Sequence, residues 1–184
     1  MFELTLFDHL RMTFGHVANR HKAHLQLAYE RSRWNRRVHA AEALLMAGVF
    51  FTALNVALGT RREYAIACAI LAALALALLL IRLTFDFDAS ARAHGLWASR
   101  LWLVRERYQA VLSDLADGAI DVETARMRRD ALMSEMAAVY QDASAHGVAH
   151  DRAQADAPAA RDAVLTDDQI DMFLPGSLRK ASNP

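Results

Sequence analysis

Histidine is the residue type in this 184-residue sequence with the broadest chemistry, because imidazole binds metals and exchanges protons near neutral pH. Among the eight histidines, His146 and His150 have the i, i+4 spacing of two ligands on one helix face. A metal site needs further ligands, and no neighbouring set of Cys, His and carboxylate residues completes this pair. The sequence therefore predicts no metal site and no cofactor. We expect His21 and His24 to lie in a helix core or interface rather than to act as pH sensors.

Motifs for catalysis are missing from the sequence. It contains no Gly-rich phosphate loop, no nucleophile elbow and no HExxH pattern. The paired acids Asp167 and Asp168 are typical of a helix start, because Thr166 can cap the helix and Gln169 stands where a capping box requires it. The only cysteine, Cys68, lies inside an apolar run and forms no disulfide framework. We therefore predict that the protein is not an enzyme.

Two uncharged segments occupy the middle of the chain, at residues 43–60 (ALLMAGVFFTALNVALGT) and 64–81 (YAIACAILAALALALLLI). At about 1.5 Å per residue, each segment forms a helix of roughly 27 Å, close to the hydrocarbon thickness of a bilayer. Soluble core helices are seldom apolar on every face over this length. We therefore predict an all-α membrane protein whose residues 39–85 form a two-helix transmembrane hairpin in the lipid bilayer.

Basic residues set the predicted orientation of the hairpin. Those that flank the two spans outnumber the two arginines of the connecting turn, and they include Arg31, Arg33, Arg36 and Arg37 before the first span and Arg82, Arg92, Arg100 and Arg105 after the second. By the positive-inside rule, both termini are cytoplasmic. The whole chain balances 21 Lys and Arg against 21 Asp and Glu, so its net charge gives no indication of a nucleic-acid partner.

Small and polar residues recur on one face of each span. On the first span they are spaced by four, three and four residues, at Gly48, Thr52, Asn55 and Gly59. The second span has a small face, Ala65, Ala69, Ala72 and Ala73, opposite a bulky one, Ile66, Ile70, Leu74 and Leu78. Small faces let helices approach closely. Two interpretations are open: packing within one hairpin, or packing between subunits with Thr52 and Asn55 lining an assembly or a pore.

Two ionisable residues, Glu42 and Arg82, border the apolar spans. Reflected about the turn near Arg62, they fall at the same depth and are candidates for an ion pair at the membrane boundary. Ionisable groups are costly at this depth unless they pair or reach toward water. Pairing and snorkelling both remain open, and the position of these residues at the helix ends favours snorkelling.

Helical arms are predicted on both sides of the membrane hairpin. Residues 1–38 form an amphipathic helix, with a seam at Phe7, Leu10, Phe14, Val17, His21, His24 and Ala28. Residues 86–142 form a cytoplasmic αα-hairpin that turns at Asp117-Gly118, with seams at Leu101, Val104, Tyr108, Val111 and Leu115 and at Val122, Ala125, Leu132, Met136 and Val139. We expect these seams to pack together. Residues 143–163 are a linker, and 164–184 form a short capped helix, ending at Pro175, and a tail that docks.

The order of these elements resembles the SLATT family, bacterial two-transmembrane effectors of nucleotide-linked conflict and antiphage systems. The resemblance rests on the basic stretch around Trp34, the tight membrane hairpin, the segment RERYQAVLSDLADGAIDVETARMRRDALMSEM and the tail LTDDQIDMFLPGSLRK. It implies a homo-oligomeric effector in the bacterial inner membrane that forms a pore or disrupts the bilayer and causes cell death or arrest. An upstream nucleotide-signalling sensor or activator would supply the signal. The alternative function is a membrane anchor or scaffold that recruits a cytoplasmic partner through its helical arms.

The predicted topology is tested by labelling single cysteines in a Cys68→Ala background. We expect Arg62→Cys to react with a membrane-impermeant thiol reagent added from the periplasm, because the turn carries fewer basic residues than the flanks. Tags on either terminus should be protected in intact cells. Periplasmic access to a terminus would contradict the hairpin.

Overall fold

Five α-helices and one 3₁₀ helix make up the part of the chain that the computed structural model describes, residues 5–59, 62–145 and 165–180. They are α1 (Leu6–Ala57), α2 (Arg62–Thr84), α3 (Phe87–Ala116), α4 (Val122–Ala145), α5 (Asp167–Asp171) and the 3₁₀ helix Gly176–Leu178. The predicted all-α class is confirmed. His146, His150 and residues 146–163 of the predicted linker lie outside the described residues, whereas residues 143–145, also predicted as linker, form the end of α4.

The predicted N-terminal arm and first span form one continuous helix, α1. The Oγ1 atom of Thr5 caps its start by accepting the backbone N–H of Asp8 at 3.1 Å. The segment between the arm and the span is rich in Arg, Ala and Glu, which are strong helix formers, and it contains no Gly or Pro to interrupt the helix. After Ala57 the chain turns at Gly59, whose φ of 76° is in the left-handed region that glycine adopts without strain.

The described residues divide into two compact units, and Ala28–Arg92 is the membrane unit. It contains the apolar part of α1 and all of α2. Two helices are long and apolar enough to cross a membrane, and only 6% of each apolar window is buried inside the protein. A helix in the core of a soluble protein would have most of this surface covered. The low burial therefore fits helices whose surrounding medium is lipid.

The other unit, formed by the described parts of Met1–Leu27 and Ala93–Pro184, is a helical bundle with its own apolar core. Its buried residues come from α1, α3, α4 and the tail: Leu10, Phe14, Val17, Trp97, Leu101, Val104, Tyr108, Val111, Leu112, Leu132, Val139, Ile170, Leu174 and Leu178. The prediction that the N-terminal seam packs against the αα-hairpin is confirmed. The seam prediction was wrong for Val122, which is 50% exposed. Val122 is the first residue of α4, and α3 has already ended at Ala116, so no facing helix covers it.

The turn between α3 and α4 follows the predicted chemistry. Gly118 has a φ of 68°, and its N–H donates to the carbonyl of Leu115 at 3.3 Å. Asp121 then caps α4 by accepting the backbone N–H of Thr124 at 2.8 Å. Hydrogen bonds from the Thr124 side chain and backbone hold the pKa of Asp121 below its ordinary value. The carboxylate therefore stays ionised at the helix N-terminus, where negative charge is favourable.

Aspartate substitutions test the shared core of the bundle. Phe14→Asp or Leu132→Asp should lower its free energy of unfolding by several kcal/mol, on the order expected when an unpaired charge enters an apolar core. Protease resistance of the purified protein measures the effect. Met12→Asp and Met133→Asp are matched controls, because both methionines lie on the same helices but are exposed. Equal resistance in all four variants would contradict the packing.

Candidate functional site

Close packing between α1 and α2 involves small residues inside the membrane unit. A Cβ atom added to Gly48 would lie 3.2 Å from Cδ1 of Leu71, tighter than ordinary van der Waals contact. Thr52 on α1 and Ala75 on α2 are the buried residues of the spans, at 9% and 7% exposure. Without a hydrophobic drive between helices in lipid, such close approach supplies the dispersion contacts that hold a hairpin together.

The polar groups of the first span bond to their own helix. The Thr52 hydroxyl donates to the carbonyl of Gly48 at 2.8 Å, and Nδ2 of Asn55 donates to the carbonyl of Phe51 at 2.8 Å. Asn55 is half-buried, and Gly59 lies past the end of α1 in the turn. The structure thus brings Gly48 and Thr52 into the hairpin contact and leaves Gly59 off that helical face. Whether these residues line an assembly or a pore remains a prediction.

Glu42 and Arg82 are brought together at one end of the hairpin. Nη1 of Arg82 donates to Oε2 of Glu42 at 2.9 Å, with the two side chains 40% and 20% exposed. Each charge offsets the cost of placing the other at the edge of an apolar span. The structure therefore shows the pairing of the two residues, and snorkelling of Arg82 stays a prediction.

Three faces can be distinguished on α2. The face toward α1 contains the buried Ala75 and the half-buried Ala67, Cys68, Leu71, Leu78 and Arg82. The small face of Ala65, Ala69, Ala72 and Ala73 is exposed, and so is the bulky face of Ile66, Ile70 and Leu74. Leu78 was predicted on the bulky face, but it is half-buried, one turn after Ala75. The Ala face, called here the alanine face, is therefore separate from the contact within the hairpin.

In the bundle unit, the C-terminal tail docks on the first turns of α1 through a buried arginine. Arg11 is 2% exposed, and its Nη1 donates to Oδ1 of Asp167 at 2.9 Å. Its Nη2 pairs with Asp171, which lies one turn later on α5. A hydrogen bond from Lys180, with Arg11 nearby, holds the pKa of Asp167 below its ordinary value. The carboxylate that Arg11 needs is therefore ionised throughout the physiological range.

Local hydrogen bonds shape the tail for docking. The predicted capping box is confirmed: the Gln169 N–H donates to Oγ1 of Thr166 at 3.4 Å, and the Thr166 N–H donates to Oε1 of Gln169 at 3.0 Å. The α-helix ends at Asp171, earlier than predicted from Pro175, and a turn and the 3₁₀ helix follow. A proline disfavours the α conformation of the residue before it. Pro175 therefore prevents an α-helix from continuing through Leu174.

The apolar side of the tail fits a notch in α1. Ile170, Leu174 and Leu178 are all nearly fully buried. A Cβ atom on Gly15 would lie only 2.8 Å from Cγ1 of Ile170, so only glycine leaves room for this side chain without rearrangement. The apolar side of the tail therefore has a docking surface on its own chain, defined by Arg11 and Gly15.

Histidines also contribute to the bundle. Nδ1 of His21 lies 2.8 Å from the carbonyl of Ala98, and Nδ1 of His24 lies 3.0 Å from Nδ1 of His94. The prediction that His21 and His24 are interface residues is confirmed, whereas the buried His94 was not singled out from the sequence. Within residues 5–59, 62–145 and 165–180, no group of three or more His, Cys, Asp and Glu side chains is arranged to hold a metal ion.

Substitution of Gly15 tests the docking of the tail. Gly15→Leu should displace Ile170 and raise amide hydrogen exchange in residues 167–178 by about tenfold or more, because opening the contact exposes these amides. Gly95→Leu is the matched control, since a Cβ there meets nothing within 4 Å. Low pH should also weaken the docking of the tail. The stabilisation from the lowered pKa of Asp167 is present above its unfolded value, about 3.9, and is lost as the pH falls through the folded value. Unchanged amide exchange in Gly15→Leu would contradict the close contact between Gly15 and Ile170.

The comparisons with known proteins agree with this architecture. The family model described as SMODS and SLOG-associating 2TM effector domain family 4 matches residues 6–168, which is most of the chain. No curated protein and no solved structure matches the sequence. The match covers α1 to α4 and reaches the first residues of α5, including both apolar spans. The chain therefore belongs to the SLATT family of two-transmembrane effector domains, which function as membrane effectors in conflict systems.

Proposed function

We propose that this effector self-associates in the bacterial inner membrane through its alanine face and, on a signal from an upstream nucleotide-linked sensor or activator, permeabilises the bilayer. The infected cell then dies or stops growing. Both termini are cytoplasmic in this proposal, as the flanking basic residues indicate. The observation that carries the proposal is the exposure of Ala65, Ala69, Ala72 and Ala73, a small-residue face that the hairpin does not use.

A single hairpin is too small to enclose an aqueous path. Two helices packed against each other bury one face each and have no lumen between them, as the contact of Gly48 with Leu71 illustrates. A channel or a membrane lesion therefore requires several copies. Only 6% of the apolar window of each span is buried, so the faces turned away from the hairpin contact are available for lipid or for other copies of the hairpin.

The alanine face has the character of a contact between membrane helices. Association in lipid depends on backbone approach and dispersion contacts, for which small residues spaced by four positions are suited. Ala65, Ala69 and Ala73 have this spacing. The bulky side chains of Ile66, Ile70 and Leu74 instead interact favourably with acyl chains. Copies that associate through the alanine face would keep their bulky faces toward lipid.

Asn55 is the polar residue best placed to act in such an assembly. It lies within the uncharged first span, two residues before α1 ends, and polar side chains in a span are costly and often functional. In the single chain its side chain is half-buried, and it donates a hydrogen bond to the carbonyl of Phe51. Between associated hairpins, the amide would bond across helices or contact water in a lumen. Gly48 and Thr52 would support it indirectly by fixing α1 against α2.

Exposed apolar side chains of the bundle favour the second candidate function, a membrane scaffold. Trp102 and Leu103 on α3 are 49% and 43% exposed, although this helix carries a well-packed face elsewhere. A soluble partner could cover them. The two functions differ in outcome: an effector permeabilises its host once it is activated, whereas a scaffold leaves the membrane intact.

The alanine face is tested with the double variant Ala69→Leu/Ala73→Leu, expressed with its genomic neighbours and activated. Bulky residues would keep the backbones of neighbouring copies apart, so depolarisation and killing should both fall, by about tenfold or more if even one kcal/mol is lost at each repeated interface. The measurements are membrane potential and viability at matched levels of inserted protein.

Ala77→Leu is the matched control, because Ala77 is exposed and lies two turns after Ile70, on the bulky lipid-facing side. It makes the same chemical change and should remain active. If the double variant depolarises cells as well as the parent, the alanine face is not the contact. If the activated parent never depolarises the membrane, the scaffold replaces the effector.

A further inference from the structure

A cavity of about 400 Å³ opens beside the end of α2, entirely within the membrane unit. Its lining includes Leu83 and Phe85, which are exposed and apolar, and the charged residues Arg82, Asp86 and Arg92. These residues lie just past the uncharged span of residues 64–81, where hydrocarbon gives way to the polar boundary of a bilayer. A ligand at this depth must combine an apolar part with a polar headgroup. Membrane phospholipids have this composition.

The charges that line the cavity are balanced. Arg82 and Arg92 provide two guanidinium groups, and Asp86 and Asp88 provide two carboxylates. Arg82 also bonds to Glu42, and Arg92 pairs with Asp88. A purely anionic headgroup would bring its charge close to both carboxylates without a cation of its own to offset them. A zwitterionic headgroup, with one anion and one cation, matches both kinds of side chain.

The guanidinium groups suit the phosphate of such a headgroup. Each has five N–H donors in a planar fork that fits phosphate oxygens, so a bond from Nη1 of Arg82 to Glu42 leaves other donor positions on the same group. Asn35 and His39 on α1 add neutral polar side chains to the lining. A phosphate beside Arg82 would also be close to the membrane surface, where phospholipid phosphates lie.

The carboxylates of the cavity determine which headgroup cation is preferred. Oδ1 of Asp86 accepts the backbone N–H of Ala89 at 2.9 Å, and each carboxylate can accept several hydrogen bonds. A primary ammonium has three N–H donors to offer, whereas a trimethylammonium has none. From this geometry we propose that the cavity binds the headgroup of phosphatidylethanolamine, with the phosphate toward Arg82 and Arg92 and the ammonium toward Asp86 and Asp88. Leu83 and Phe85 contact the adjoining glycerol and acyl chains.

This binding site is independent of pore formation. It depends on the membrane location of the hairpin and on the residues around the end of α2, and it would exist in an effector or in a scaffold. Lipid binding is measured on purified protein, whereas permeabilisation is measured in cells. Failure of one experiment therefore leaves the other interpretable.

The experiment uses the full-length protein, purified in a neutral detergent and titrated with phosphatidylethanolamine, phosphatidylcholine or phosphatidylglycerol of identical acyl chains. Native mass spectrometry counts the lipids retained. We expect phosphatidylethanolamine to bind about tenfold more tightly than either of the others, which corresponds to about 1.4 kcal/mol. Because phosphatidylcholine has the same phosphate and net charge, this comparison changes only the ammonium, from a small group with three N–H donors to a bulkier group with none.

Two variants locate the site. Asp88→Asn and Asp86→Ser should each abolish the preference for phosphatidylethanolamine over phosphatidylcholine, and serine at position 86 retains an oxygen that can cap α3. Glu123→Gln is the matched control, because Glu123 is an exposed carboxylate paired with Arg126 on α4, in the other unit. Equal binding of the three lipids by the parent, tightest binding of phosphatidylglycerol, or an unchanged preference in both aspartate variants would overturn the proposal.

Discussion

The absence of water from the hydrocarbon core of the bilayer is the constraint on which the rest of this structure depends. Every backbone N–H and C=O group in the spans must be satisfied within the chain, and a helix does this without help from its surroundings. The same constraint acts on side chains. Thr52 and Asn55 donate to carbonyls of their own helix, and Arg82 pairs with Glu42 where the apolar region ends. The turn is correspondingly short, with Gly59 accepting the left-handed conformation that reverses the chain.

Lipid also removes the usual reason for helices to associate, since acyl chains are as apolar as leucine. Packing then depends on how closely two backbones approach, and this explains the different use of small residues on the two spans. Gly48 leaves room for the side chain of Leu71, and Ala75 is buried, so these positions hold the hairpin together. Ala65, Ala69, Ala72 and Ala73 have the same character but remain exposed. Their exposure separates this face, through which we propose that hairpins associate, from the surface that holds one hairpin together.

The sequence predicted what depends on local composition or on regular spacing. Uncharged runs identified the spans, and the seam of Leu10, Phe14 and Val17 identified the face of α1 that enters the bundle core. The burial of Arg11 was not predicted, because a lone arginine on an amphipathic helix is ordinarily solvated and its partner Asp167 lies 156 residues away. Leu78 and Val122 were misassigned for a related reason. Helical spacing predicts which residues share a face, but where the neighbouring helix ends and in which direction it runs decide how much of that face is buried.

The tail contact combines two interactions with different roles. Burial of Ile170, Leu174 and Leu178 favours docking, whereas a buried ion pair contributes little net stability, because desolvation of Arg11 offsets its attraction to Asp167. The pair instead fixes the position. A tail that leaves as a unit uncovers Arg11 and returns it to water. Loss of the carboxylates alone would leave the charge of Arg11 covered and without a compensating anion, which is unfavourable. The tail is therefore either docked with its charges matched or released, and partly matched arrangements are disfavoured.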